Sequence, residues 1–291
     1  MSLFYRVARS ASRVVGPTSV AARMCRPIAE RIIRLVGGRS GLAWEINGIA
    51  CRINPRLRAQ LARTYDAHLY AILRERVRPG QLCLDIGANI GAWVIQFAHL
   101  VGPTGRVVAF EPNPAARAEL EAHIRINRLE SIVRVVPAAV GAAHGEVTFF
   151  AAGSDGMSRI GEPNPHLVAE SIHLRVPVVA LDGWCRENGL EPDWLLIDVE
   201  GHEGHVLAGA AELIRSRGAA LGVVVELHPA LWPASGTDRG EVAGRIAAVG
   251  RRLIPLSGQN DPYAEYGHAL LESSDEPPIE TPPNRLVRNP S

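Results

Sequence analysis

The chain has 291 residues, 47% of them hydrophobic and 21% charged, with 31 basic and 30 acidic side chains and a formal net charge of +1. That balance lacks the basic excess of a nucleic-acid binder, and no apolar run reaches the length of a membrane-spanning helix. All 31 basic residues are arginine, which excludes a Walker-type phosphate loop, a Schiff-base enzyme and a lysine general base, since each needs an amine.

Residues 1–55 are expected to hold a basic helical segment and a short hairpin. Arg6, Arg9, Arg13, Arg23 and Arg26 precede the first acid, Glu30. A basic helix packed loosely on the domain fits this pattern, and so does a weak contact with an anionic membrane surface. Cys25, Cys51, Cys83 and Cys185 form no CxxC pair. The spacing argues against a disulfide framework or zinc knuckle and fits a cytoplasmic location. Residues 42–53 (LAWEINGIACRI) read as a hairpin turning at Asn47-Gly48.

A domain is expected over 56–274. A helical pattern runs from about Arg56 to Arg76 and stops at Pro79-Gly80. Strands then alternate with helices. The strands are Leu82–Ile86, Arg106–Phe110, Ile132–Pro137, Trp194–Val199 and Ala220–Leu227. The helices are Gly91–Val101, Pro114–Asn127 and Glu203–Arg217. Such alternation indicates an α/β, doubly wound parallel sheet. The stretch 146–180 interrupts it with two alternating strands around a loop at 153–165, and an insertion of this kind shapes a pocket over the sheet edge. Residues 275–291, rich in proline and poor in apolar groups, are expected to be a disordered tail.

The first strand runs into "DIGANIGAW". Glycine at a strand-to-helix turn lets the backbone approach a ligand, and the helix behind it offers free N–H groups. The second strand ends in "AFEPNP", which puts Glu111 twenty residues beyond Gly91, where an acid accepts ribose hydroxyls. A dinucleotide would need GxGxxG here, and Asp85 would repel its phosphates. S-adenosylmethionine (SAM) offers an ammonium, a sulfonium and a ribose, which suit Asp85 and Glu111.

The segments "DIGANIGAW", "FEPNP", "VPVVALDGW" and "LLIDVEGHEGHVLAGA", in this order, resemble the FkbM family of SAM-dependent methyltransferases over about residues 65–230. The resemblance implies a class I, Rossmann-like methyltransferase fold. That fold is a mostly parallel seven-stranded sheet with an antiparallel last strand, here carrying an inserted β-hairpin after the third strand. It also implies methyl transfer to oxygen. By position, Asp85, Gly87, Ala88, Asn89 and Gly91 would lie along the methionine and sulfonium side. Glu111, flanked by Pro112 and Asn113, would hold the ribose, and Ala138 and Ala139 would follow the adenine edge. The family often carries lysine where this chain has Leu196.

"IDVEGHEGH" places Asp198 and Glu200 at the end of the fourth strand, where ligands bind in open α/β sheets. The fifth strand ends beside it with Glu226 and His228. Asp198 or His228 is the expected general base, with Glu200 orienting the acceptor and His202 lining the pocket. Glu203 reads as a first-turn acid favoured by the helix dipole, and His205 as a bystander. A divalent cation is compatible with Asp198 and Glu200 but is not expected, and the histidine spacing is not that of HExxH. Met157, Ser158, Arg159 and Glu226 are the candidate substrate contacts, with Trp184 and Trp232 as stacking walls or core residues. The expected activity is methylation of a hydroxyl on a sugar or secondary metabolite, the acceptor being a small molecule or glycan. Carboxylate esterification, a NAD-dependent oxidoreductase and an idle SAM-binding module are the alternatives.

Overall fold

The computed structural model describes residues 40–151, 159–160 and 172–274. The predicted basic segment before residue 40, the tail 275–291, Met157, Ser158 and the 161–165 loop lie outside these residues. Among the described residues no helix is long and apolar enough to cross a membrane.

The described chain opens with a hairpin, β1 (Leu42–Ile46) and β2 (Ile49–Ile53), paired antiparallel in the predicted register. Asn47 and Gly48 turn it with φ of +48° and +85°, the left-handed pair that a tight turn of this hand requires. The hairpin is tied to the body by a buried imidazole. His123 accepts from Asn54 N at 2.9 Å through Nε2 and donates to the Ile90 carbonyl at 2.7 Å through Nδ1. Burial lowers its pKa, so the neutral ring acts as both donor and acceptor.

The helix expected from Arg56 forms only as α1 (Ala67–Arg76), preceded by one 3-10 turn at Pro55–Leu57. Leu57 and Leu61 are buried four residues apart, which mimics helical spacing. The intervening backbone is irregular and reaches Asp66 in the left-handed region at φ +42°. Asn47 fixes this stretch from outside: its Oδ1 accepts from Tyr65 N, and its Nδ2 donates to the Tyr65 carbonyl and to Gln96 Oε1.

Then comes the central sheet. Its strands are β3 (Leu82–Ile86), β4 (Arg106–Phe110), β5 (Val133–Val136), β10 (Trp194–Ile197), β11 (Gly222–Leu227), β12 (Arg251–Pro255) and β13 (Gly267–Ser273). Their spatial order is β12-β13-β11-β10-β3-β4-β5. All adjacent pairs from β11 to β5 are parallel, and β13 is antiparallel to both neighbours. This is the class I arrangement that the family resemblance implies. β3 and β10 are buried at every position, as expected for central parallel strands covered on both faces. The covering helices are α2 (Ala92–Val101), α3 (Pro114–Asn127), α4 (Leu181–Glu187), α5 (Glu203–Gly209), α6 (Ala211–Arg217) and α7 (Arg239–Ala248).

One expected helix, Glu203–Arg217, is two. It breaks at Ala210, where Gly209 lies so close to the Gly141 carbonyl that a Cβ would stand 2.0 Å from its oxygen. Asp182 then caps the second piece, accepting from Glu212 N and Leu213 N. The insertion forms a four-stranded sheet rather than a bare hairpin. β7 (Gly145–Ala151) and β9 (Ile172–Val179) pair antiparallel, with β6 (Ala139–Val140) beside β9 and β8 (Arg159–Ile160) beside β7.

Replacing Asn47 with Ala removes every bond that the side chain makes to Tyr65 and places Ala at positive φ. Asn47→Ala is expected to cost about 1–3 kcal/mol in urea unfolding, and an unchanged midpoint would show that the turn does not hold this segment.

Candidate active site

The chain reverses its winding between β10 and β4 on either side of β3, and the crevice at the carboxyl ends of these strands is where an open sheet binds ligands. A cavity of about 360 Å³ opens there. Its floor is the β3–α2 turn, Asp85 to Ile90. One wall comes from the end of β4 and from Ala138 to Val140, and the other from Asp198, Val199, Glu200, His202 and Glu226. Tyr65 and Asp66 close it from the N-terminal side, Phe149 and Ile160 from the inserted sheet, and Tyr266 from just before the last strand.

Gly87 has φ +93°, and a Cβ on it would lie 1.7 Å from the Asp198 carbonyl oxygen. Its primary constraint is therefore contact between the ends of β3 and β10, which brings the two walls together. Gly91, also at φ +93°, starts α2 and packs where a Cβ would meet Leu120 Cδ1 at 2.7 Å. It does not line the cavity, although the sequence reading placed it beside the cofactor. Ala88, Asn89, Pro112, Asn113, Ala138 and Ala139 all do.

Glu111 is buried and held at both oxygens. Oε2 accepts from Asn89 N and Oε1 from Asn113 N, each at 2.7 Å. Asn113 also caps α3 through its side chain. Burial raises the Glu111 pKa to about 7 against the pull of those two N–H groups. Asp85 is buried, and its Oδ2 has no hydrogen-bond partner. Burial, with the Glu111 charge adding to it, pushes its pKa to about 8. An unpartnered buried carboxylate oxygen on a cavity floor is costly, and a bound cation would satisfy it.

The acidic wall is built on strained backbone. Glu200 sits at φ +48° and Gly201 at +96°, and a Cβ on Gly201 would stand 2.5 Å from Leu231 Cβ. Left-handed non-glycine residues are costly and cluster at functional sites. Asp198 is half-buried, and its pKa is raised well above the carboxylate range by burial, then by Glu226 and Glu200. Glu226 accepts a hydrogen bond from the Tyr266 hydroxyl, and His268 Nε2 lies 3.7 Å from its other oxygen.

Glu203 is fully buried, and it is more than a helix-dipole partner. It accepts from Gly201 N at 2.8 Å, His228 Nδ1 at 2.8 Å and Trp232 Nε1 at 2.7 Å. His228 consequently stands behind the cavity wall, with Nε2 3.7 Å from Glu200 Oε2. Burial disfavours its charged form, but the Glu203 hydrogen bond and the charges of Glu203, Glu200 and Glu226 outweigh that and raise its pKa to about 9. With its pKa raised in this way, the ring offers Nε2 as a base or a ligand only once that nitrogen gives up its proton. Burial, with His205 and Arg245, lowers the His202 pKa to about 3. His202 lines the cavity as a neutral ring with Nδ1 unpartnered, stacked on His205 at 4.2 Å. His205 donates to the Ser235 carbonyl.

The tryptophans are core residues. Trp184 packs edge-on against Phe110, and Trp232 is 1% exposed. Arg159 pairs through its backbone in β8. Tyr65, Asp66, Tyr266, Glu203 and His268 were missed as site residues. Apart from Glu203, they come from segments at either end of the domain, with no motif around them. Only the pairing of β13 with β11, which sets His268 opposite Glu226, brings the last of them into place.

Residues 85–253 match the methyltransferase FkbM domain. A search of curated proteins gives no match. Among solved structures the chain is similar to methyltransferase FkbM from Methylobacillus flagellatus KT at 15% identity and a TM-score of 0.44, over 69% of this chain and 50% of that one. It is similar to fibrillarin from Aeropyrum pernix with natively bound SAM at 13% identity and 0.39, over 70% and 73%. A SAM-dependent O-methyltransferase from Thermotoga maritima gives 13% and 0.40, over 74% and 68%. The chain thus spans half the length of the Methylobacillus protein.

Asp85 has a consequence for stability. Its folded pKa of about 8 lies above the ordinary 3.8, so the folded state holds the proton that the unfolded state releases. Stability is then lost as pH rises from the lower value to the higher. Relative to Asp85→Asn, the wild type is expected to lose up to ~1.4 kcal/mol per pH unit between pH 5 and 8. Parallel urea-stability profiles for the two proteins would contradict this.

Proposed function

The chain belongs to the methyltransferase FkbM family, and on that premise we propose that it moves a methyl group from SAM to a hydroxyl oxygen of a small molecule or glycan, a sugar or secondary metabolite. The observation that carries this reading is the charge of the cavity. Asp66, Asp85, Glu111, Asp198, Glu200 and Glu226 line it, and among the described residues that line it none is arginine. Such a site suits a cationic cofactor and a neutral acceptor. A pyrophosphate would meet Asp85 and Glu111 at the turn, and a carboxylate acceptor would meet Asp198, Glu200 and Glu226, so electrostatics disfavour both alternatives.

The residues fit SAM. The unpartnered Asp85 Oδ2 suits the ammonium. Glu111, fixed by the Asn89 and Asn113 amides, suits the ribose hydroxyls. Gly87 and Ala88 pass alongside, and Ala138 and Ala139 offer an apolar edge for adenine. When bound, SAM supplies a methyl group on a positively charged sulfur.

The remaining work belongs to the chain. The strand-end carboxylates hold the acceptor hydroxyl, and positioning supplies much of the acceleration. With SAM bound, the methyl carbon would exchange its bond to sulfur for one to the acceptor oxygen, leaving a neutral thioether, and the hydroxyl proton would pass to the Asp198–Glu226 pair, with Glu200 orienting the acceptor and His228 facing Glu200 at 3.7 Å. A carboxylate whose pKa is raised above the ordinary range is a stronger base for this than one at its ordinary value.

The test uses SAM carrying a tritiated methyl and a panel of hydroxylated sugars and metabolites. Label is expected in an alkali-stable ether, with Asp198→Asn slowing transfer by about 10²–10⁴-fold while SAM affinity stays within a few fold. Alkali-labile label, or full-rate transfer by Asp198→Asn, would contradict the reading.

A further inference from the structure

We propose that Asp198, Glu226 and His228 form a binding site for one divalent transition-metal cation of the manganese or zinc class. One donor atom from each lies within 4.8 Å of the others. Three donors around one ion at about 2.1–2.4 Å stand about 3.0–4.2 Å apart, so the three reach a common ion by closing together slightly. Two carboxylates and an imidazole form a mixed oxygen–nitrogen set suited to this class of ion.

Proximity of acids would not carry this alone. The second observation is how His228 is held. Its Nδ1 donates to Glu203 Oε1 at 2.8 Å, and Glu203 is itself fully buried and fixed by Gly201 N and Trp232 Nε1. A carboxylate behind Nδ1 sets the tautomer and aims Nε2, as in carboxylate–histidine–metal arrangements. That Nε2 is directed at the acidic wall, 3.7 Å from Glu200 Oε2, which is beyond hydrogen-bond distance. Glu226 is backed in the same way by the Tyr266 hydroxyl. His228 and Glu226 are both more than nine-tenths buried, and Asp198 keeps one side open to the cavity. A small-molecule oxygen could complete the coordination there.

The inference goes beyond the methyl-transfer reading and does not depend on it. A cation at this position would sit between Asp198 and Glu226 and would polarise an acceptor oxygen in place of the base.

The experiment uses the full chain, stripped with chelator and titrated with Mn2+ alone, without SAM or acceptor. One saturable site per chain is expected, with a nitrogen coupling from a single imidazole in the electron spin-echo spectrum of bound Mn2+. His228→Gln should abolish that coupling, and His228→Gln and Glu226→Gln should each weaken binding at least 10-fold. Glu203→Gln, which removes the charge and one acceptor oxygen behind the imidazole and Trp232, should weaken it about 10- to 100-fold. The spectrum of the wild type needs no variant to fold. No saturable binding at 1 mM Mn2+, or bound Mn2+ without nitrogen coupling, would overturn the site and leave His228 as an imidazolium paired with glutamates. Either result leaves the methyl-transfer test standing.

Discussion

At the middle of the sheet, the backbone of Gly87 lies against the carbonyl oxygen of Asp198 so closely that no side chain fits between them. β3 and β10 are neighbours in register, with Ile86 opposite Ile197, and each leaves the sheet at this contact. One strand turns into the glycine loop and the other into Asp198-Val199-Glu200. The cavity exists because these two turns meet. The walls that this contact draws together are otherwise more than a hundred residues apart in the chain.

Charge follows from that geometry. The chain carries 31 arginines, yet the described residues lining the cavity include six carboxylates and no arginine. Burial raises the pKa of Asp85, Glu111 and Asp198, and neighbouring carboxylates add to it at Asp85 and Asp198. A site of this kind destabilises the free protein and is relieved by positive charge arriving from outside, whether an ammonium, a sulfonium or a metal ion. Strain at Glu200 and an unpartnered oxygen on Asp85 belong to the same pattern, in which local cost is retained where a ligand binds.

Much of this was legible in the sequence. Buried parallel strands show as continuous apolar runs, and an acid at the close of such a run lies at the carboxyl end of its strand, which located Asp85, Glu111, Asp198 and Glu226. Other features were opaque for definite reasons. Gly87 and Gly91 looked like ligand-approach glycines, because sequence does not distinguish a glycine that faces a ligand from one that faces another strand or helix. Glu203 satisfied a helix-dipole reading so fully that only its burial among three donors revealed its role. Arg56 to Asp66 carried helical spacing, but its backbone is committed to the Asn47 side chain. Tyr65, Asp66 and Tyr266 reach the cavity through long-range packing that no local pattern encodes.

The central claim is that this cavity recognises a cationic cofactor through the buried carboxylate of Asp85. Isothermal titration of SAM into the wild type and Asp85→Asn at pH 5.5 and 7.5 tests it most directly. The account predicts one SAM site per chain in the wild type, binding tighter at the higher pH as Asp85 gives up its proton, and weaker binding in Asp85→Asn with only the shallower pH dependence that Glu111 leaves. Equal affinity in the two folded proteins at both pH values, or tight binding of NADH in place of SAM, would contradict it.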